Sequence, residues 1–243
     1  MAATRLTFDE VDHAYMLDGE PVKSVTTMLN MLGKFGLVKW ASRITADYAV
    51  RHWDDLGAFP PDERYEIIME TANRTRDVAA ADGTQIHEWA ELLLGGHPVD
   101  VPSQHVAAVE GFAKFWESAG FEATHTERRV WSPADGPYAA YAGTLDLIAR
   151  DREGAVWLLD HKTGKGVYPD VGYQLAGYSG ARWIQIGEQD FPMPPIDRWG
   201  VLHIRPDGTS LHEVQRRPDA SARWLMVREW HAAKSPGLRR VVV

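Results

Sequence analysis

In residues 142–165, AGTLDLIARDREGAVWLLDHKTGK, two carboxylates and a lysine lie in or beside segments apolar enough to form buried strands. Residues two apart in a strand share a face, so Asp160 and Lys162 point the same way and His161 points away. The turn at 151–154 makes the two strands neighbours and brings Asp146 close to Asp160. Adjacent carboxylates repel each other unless one is protonated or a cation joins them. The pattern therefore predicts a divalent metal with oxygen ligands, and Lys162 is placed to stabilise developing negative charge.

His87 and Glu91 form a second pair whose spacing fits metal chemistry. They lie one turn apart in the segment 84–94, whose pattern predicts an amphipathic helix, so both side chains share one face. A single helical histidine is most often structural, but the two carboxylates and the lysine nearby favour His87 as a third metal ligand. Gly83 would let a neighbouring backbone approach this helix closely.

A helix predicted at 170–183 places three polar residues in one row. Gln174 and Tyr178 are four residues apart, and Arg182 continues the row by another four. Three glycines make the segment a poor helix by propensity and permit close packing on a sheet or close approach of a ligand: Gly172, Gly177 and Gly180. Gln174 and Tyr178 are therefore interpreted either as helix–sheet packing residues or as residues that contact a substrate.

The remaining pattern predicts a mixed α/β fold with a helical N-terminal half. Residues 5–22 alternate around Asp18-Gly19, as in a β-hairpin. Periodicity predicts helices at 25–32, 37–53, 62–81, 84–94, 104–119, 170–183 and 219–233. Strands are predicted at 127–132, 138–150, 155–162, 198–205 and 210–216. We expect an N-terminal hairpin and helical region (1–120) and a core (121–243) that together form one compact unit.

Composition limits the classes of protein to which this chain can belong. Its 243 residues are 44% apolar and 25% charged, as in ordinary globular proteins, and no apolar run is long enough to span a bilayer. The N-terminus lacks the apolar region of a secretory signal, so we expect a cytoplasmic protein without a membrane partner. The absence of cysteine excludes disulfides, iron–sulfur clusters and zinc–thiolate sites. The net charge of −8 argues against nucleic-acid binding through basic residues alone, but bound metal ions would supply positive charge at a phosphate.

Four segments resemble, in order, the motifs of the RecB-type branch of the PD-(D/E)XK nuclease superfamily. GTQIHEWAE (83–91) resembles its Gly-x-x-x-His-x-x-x-Glu motif, and GTLDLI (143–148) resembles its Gly-x-x-Asp strand. LLDHKTGK (158–165) resembles its Asp-x-Lys-Thr-Gly strand, and QLAGY (174–178) resembles its Gln-x-x-x-Tyr helix. The resemblance implies a restriction-endonuclease-like core, in which helices flank a mixed sheet.

The resemblance also implies roles for individual residues. The implied ligands of Mg²⁺ or Mn²⁺ are His87, Asp146, Asp160 and the backbone carbonyl of His161. The implied catalytic residues are Lys162, Asp146, Asp160 and Glu91. The residues implied to line the DNA path are Gln174 and Tyr178, and Glu127 matches a further acidic position. From its place in the same helical row, we expect Arg182 to contact the DNA strand as well. Many relatives hold an iron–sulfur cluster through four cysteines, and we expect no cluster here because this chain has none.

The resulting hypothesis is a metal-dependent DNA exonuclease that prefers single strands or frayed ends, in recombination, repair or phage DNA processing. Relatives of this kind commonly act from ends, and the N-terminal helices are long enough to roof the site. The basic residues of these helices that would contact phosphates are Lys34, Lys39, Arg43, Arg51, Arg74 and Arg76. Three alternatives stay open: a nuclease-fold DNA-binding or scaffold protein without turnover, a structure-specific endonuclease, and a metal-dependent hydrolase of another substrate.

Overall fold

A mixed sheet of ten strands runs through the computed structural model, which describes residues 5–32, 35–216 and 218–233. The strands are β1 (Leu6–Asp9), β2 (Ala14–Leu17), β3 (Glu20–Ser24), β4 (Glu122–Ser132), β5 (Tyr141–Arg150), β6 (Val156–Lys162), β7 (Trp183–Ile186), β8 (Gln189–Pro192), β9 (Arg198–Arg205) and β10 (Gly208–Val214). The helices are α1 (Val25–Leu29), α2 (Phe35–Arg51), α3 (Trp53–Leu56), α4 (Pro61–Leu94), α5 (Ser103–Ala119), α6 (Val171–Ser179) and α7 (Pro218–Ala232). The predicted mixed α/β fold is confirmed.

β5 lies at the centre of the sheet and pairs with three strands. β4 runs antiparallel to it along one edge, and β3 and β6 share the other edge. β3 pairs in parallel with Tyr141 and Ala142, whereas β6 pairs in antiparallel from Leu147 onwards. β3 and β6 therefore diverge beside residues 143–146, and the sheet forks there. β7 and β8 extend the sheet beyond β4, and β9 and β10 extend it beyond β6.

The first three strands form two hairpins, where the sequence predicted one. β2 pairs with both β1 and β3, and the turn at Asp18-Gly19 joins β2 to β3 as expected. Asp18 and Gly19 have φ angles of 54° and 83°, the left-handed pair that a two-residue hairpin turn requires. Because β3 continues into the core sheet through β5, the N-terminal strands and the core strands belong to the same sheet.

Helix α4 is one continuous helix of 34 residues, so the predicted break at Asp82-Gly83 is wrong. Isolated glycines are tolerated inside a helix when tertiary packing supports it. At Gly83 an added Cβ would lie 3.0 Å from Thr163 Oγ1, so the glycine lets the loop after β6 approach the helix. The sequence predicted that a neighbouring backbone would approach Gly83, but the atom that approaches it belongs to the Thr163 side chain.

Helix α6 is shorter than predicted, because it ends at Ser179 and Gly180 caps it. Residues 183–192 instead form β7 and β8, two short strands joined at Gly187, whose φ is 61°. Arg182 therefore lies between α6 and β7, and the prediction that it continues the helical row of Gln174 and Tyr178 is wrong.

Helices cover both faces of the sheet. Leu158 packs in a cluster with residues of α1, α6 and α7, whereas the next residue, Leu159, packs in a cluster with residues of α4 and α5. Successive strand residues point to opposite faces, so the two groups of helices lie on opposite sides of β6. None of the described helices combines the length and the apolar character needed to cross a membrane.

Candidate active site

The fork in the sheet brings the two predicted aspartates together. Leu147 of β5 pairs with Leu159 of β6, and this register continued by one residue places Asp146 opposite Asp160. The sequence prediction that the short turn aligns these two residues agrees with this register. Asp146 lies at the position where β6 and β3 separate, so its carboxylate stands at an opening in the sheet and not within a closed ladder.

Asp146 lies between the sheet and the long helix α4. Its Oδ2 accepts a hydrogen bond from the backbone N–H of His161 at 2.6 Å, which fixes the carboxylate against β6. The Nδ1 atom of His87 lies 4.0 Å from the same oxygen. Helix α4 thus places His87 beside Asp146, as the sequence motif on this helix predicted.

Asp160 and Lys162 form a close pair on the face of β6 that carries α6. Lys162 Nζ forms an ion pair with Asp160 Oδ2 at 2.5 Å and donates a hydrogen bond of 3.4 Å to Gln174 Oε1. Gln174 Nε2 in turn donates to the Tyr178 hydroxyl at 3.4 Å, so the two helix residues orient the lysine. Burial and the charge of Asp146 raise the pKa of Asp160, against the opposing effect of Lys162. Burial lowers the pKa of Lys162, but the charges of Asp160 and Asp146 outweigh it and raise that pKa.

Asp160 is almost completely buried, with 2% of its side chain exposed. No group in the described part of the chain donates a hydrogen bond to its Oδ1 atom. A buried carboxylate oxygen without a donor is destabilising, unless a cation or water satisfies it. The residues present therefore fit a bound divalent ion.

His161 of β6 and His87 of α4 meet on the opposite face of β6, between this strand and helices α4 and α5. The rings of His87 and His161 meet edge to face with centroids 5.3 Å apart, and Phe112 packs against His161 at 5.7 Å. One possible ligand atom each from His87, Asp146 and His161 falls within 4.8 Å of the others. Burial lowers the pKa of His161 to about 4.

Glu127 and Glu91 add two further carboxyl groups on the side of β4. Thr126 pairs with Leu147 and Arg128 with Leu145, so Glu127 stands opposite Asp146. Burial, followed by the charges of Asp146 and Glu91, raises the pKa of Glu127 to about 8.

The backbone of Glu127 is strained, with a φ of 46°, a value that non-glycine residues rarely adopt. Strained residues of this kind cluster at functional sites. Glu91 accepts a long bond of 3.4 Å from the Thr126 hydroxyl, so α4 and β4 meet at this acidic group.

The structure adds residues that the sequence did not indicate. The Tyr15 hydroxyl of β2 lies 2.7 Å from Thr144 Oγ1, two residues before Asp146 in β5. His203 Nε2 lies 2.8 Å from the Gly164 carbonyl, and the Arg205 guanidinium donates to the carbonyls of Thr163 and Gly164, which holds the loop after Lys162 against β9. These contacts join segments far apart in the chain, and short sequence motifs carry no signal for them.

The remaining residues predicted to contact DNA are Arg182 and the basic residues of the N-terminal helices. The Arg182 guanidinium stacks on Trp183, and its backbone N–H donates to Ser132 Oγ. Among the basic residues of the N-terminal helices, Arg51 and Arg76 each have an aspartate within 3.0 Å, Asp47 and Asp77. Lys39 and Arg43 are exposed on α2, Arg74 is exposed on α4, and Lys34 lies outside the described residues. Their predicted role as phosphate contacts stays a prediction.

Comparison with known proteins gives little on function. No model of a protein family and no curated protein matches this chain. A solved structure described as "Crystal structure of SSO0001" is similar over 53% of this chain and 55% of its own, with a TM-score of 0.31 and 16% sequence identity. The match therefore spans little more than half of that protein, and at this TM-score it supports no functional argument.

Proposed function

We propose that this protein is a metal-dependent deoxyribonuclease that hydrolyses phosphodiester bonds from DNA ends. The observation that carries the proposal is the arrangement at the fork. Asp160 is buried, the partly exposed Asp146 is opposite it in the strand register, and Lys162 lies in contact with Asp160. Carboxylates brought together in this way repel each other unless one is protonated or a cation joins them, and a lysine beside them is placed for anionic chemistry such as phosphate cleavage. The resemblance of the four sequence motifs to RecB-type nucleases supports the same reaction.

Mg²⁺ or Mn²⁺ would be held by His87, Asp146 and Asp160, with the backbone carbonyl of His161 as a further ligand. When bound, the ion would lower the pKa of a water molecule and offset the charge of the phosphate. Lys162 would add positive charge where the pentacovalent phosphate forms. Gln174 and Tyr178 would hold the Lys162 ammonium in place through their hydrogen bonds, and burial keeps the Tyr178 hydroxyl neutral by raising its pKa.

The preference for ends rests on the position of the site between helices. α4 carries His87 on one face of β6, and α6 carries Gln174 on the other. DNA that reaches the fork between these helices would enter more easily as a single strand than as a duplex. We therefore propose an exonuclease that prefers single-stranded or frayed ends.

Incubation of end-labelled DNA with Mn²⁺, Mg²⁺ or EDTA tests the proposal. Linear single strands should be shortened progressively with either metal, and EDTA should abolish the reaction. Closed circular single strands should survive, because they offer no end. Cleavage of circular and linear single strands at equal rates would show that the protein is an endonuclease and not an exonuclease. Binding of DNA without cleavage in any metal would favour the scaffold alternative.

Asp160→Asn provides the matched variant for this assay. It keeps the size of the side chain and removes its charge, so cleavage should fall by at least about 100-fold. Asp54→Asn, at an exposed position of α3 in the N-terminal region, should leave the rate unchanged.

A further inference from the structure

His161 occupies an unusual position in β6, between Asp160 and Lys162. Its side chain points to the opposite face of the strand, where the neighbouring positions of β6 hold core residues such as Leu159. Only 2% of His161 is exposed. Within residues 5–32, 35–216 and 218–233, neither of its ring nitrogens has a hydrogen-bond partner.

An imidazole buried without partners is destabilising, whereas a leucine would fill the same apolar position without this penalty. The surroundings of the ring offer aromatic contacts with Phe112 and His87, but these leave the ring nitrogens unpaired. Such an orphaned polar group needs a binding partner that the polypeptide does not supply.

The neighbours of His161 identify that partner. The ligand atoms of His161, His87 and Asp146 lie within 4.8 Å of one another. Nitrogen and oxygen ligands bind a transition-metal ion at about 2.0–2.2 Å, so two ligands of one ion lie up to about 4.4 Å apart. Small rotations of the side chains would bring the ligand atoms from within 4.8 Å to the separation of about 4.4 Å that one ion allows, so the three groups can bind the same ion.

We propose that the His161 imidazole is itself a metal ligand, which adds a second histidine to His87 and Asp146 at the proposed ion. This inference deepens the proposed function, because it concerns the ion at the same fork. Imidazole nitrogens suit first-row transition metals, whereas Mg²⁺ prefers oxygen ligands and gives up its water reluctantly. The site should therefore select Mn²⁺ over Mg²⁺.

Titration calorimetry of the metal-free protein with Mn²⁺ and with Mg²⁺ tests this selectivity. His161→Leu should weaken Mn²⁺ binding by about 10-fold or more and change Mg²⁺ binding by less than about 2-fold. The control is His105→Leu, which alters another buried histidine, located on α5 beside Trp89, and should change neither affinity. Unchanged Mn²⁺ affinity in His161→Leu would overturn the inference.

Pulsed electron paramagnetic resonance of the Mn²⁺-bound wild-type protein gives a second readout. Because it uses no variant, misfolding of His161→Leu cannot affect the result. Nitrogen couplings from two directly bound imidazoles are expected, and a single coupled imidazole would contradict the proposal. The results also separate the two hypotheses. If Asp160→Asn weakens Mn²⁺ binding and His161→Leu does not, only the role of His161 is refuted. If both variants weaken Mn²⁺ binding but the wild-type protein does not cleave DNA, only the proposed nuclease activity is refuted.

Discussion

Glu127→Gln should stabilise the metal-free protein at high pH. In the folded protein, burial of the Glu127 carboxyl and the nearby charges of Asp146 and Glu91 raise its pKa from 4.5 to about 8. Ionisation of Glu127 therefore opposes folding. The penalty is absent below about pH 4.5, grows as the pH rises between the unfolded and folded pKa values, and is complete above about pH 8.

The size of the effect follows from the shift in pKa. One pKa unit corresponds to about 1.4 kcal/mol, so the full shift sets an upper limit of roughly 5 kcal/mol. Glu127 is only partly buried, and solvent screens its charge, so we expect a gain of about 1–2 kcal/mol at pH 9. Glutamine at this position retains the same strained backbone, so the substitution isolates the charge.

Urea unfolding of wild-type protein and Glu127→Gln at pH 4.5 and pH 9, in EDTA, measures the gain. Glu122→Gln, an exposed carboxyl at the start of the same strand, is the control and should change stability little at either pH. Added Mn²⁺ should reduce the advantage of Glu127→Gln, because the cation offsets the repulsion. A gain that is equal at both pH values, or a loss at pH 9, would refute the reasoning.

Two further predictions concern the lysine and the packing behind it. Lys162→Met should retain Mn²⁺ and DNA binding in calorimetry while cleavage falls by at least about 100-fold, and an active variant would remove Lys162 from the mechanism. Gly143→Ala should lower the free energy of unfolding by about 1–3 kcal/mol, because the added Cβ would lie 2.8 Å from the Tyr178 ring. Gly36→Ala, where the added Cβ meets nothing within 4 Å, should be neutral or mildly stabilising, and an equal loss at both positions would contradict the packing argument.

The local part of the site could be predicted from the sequence because strand periodicity and a short turn determine it. The alternation in β6 placed Asp160 and Lys162 on one face, and the turn between β5 and β6 aligned Asp146 with Asp160. The i, i+4 spacing in α6 likewise placed Gln174 beside Tyr178. These relations depend on neighbouring residues only, and tertiary context did not alter them.

The rest of the site depends on contacts between distant segments. Tyr15 reaches the site because β3 joins β5, and nothing in the first 22 residues indicates that pairing. Gly83 appeared to end a helix, but α4 continues through it, and Thr163 of a distant segment lies against this glycine. The burial of the His161 ring also depends on α5, whose Phe112 lies about fifty residues earlier in the chain. Apolar periodicity alone does not show which helix covers which strand.

Cleavage of labelled linear DNA by wild-type protein and Asp146→Asn, side by side in Mn²⁺, tests the central claim most directly. The asparagine oxygen can still accept the hydrogen bond from the His161 backbone, so the substitution removes the charge and leaves this contact with β6 intact. We expect metal-dependent release of nucleotides by the wild-type protein and a loss of at least about 100-fold in Asp146→Asn. Equal cleavage by the two proteins would contradict the central claim.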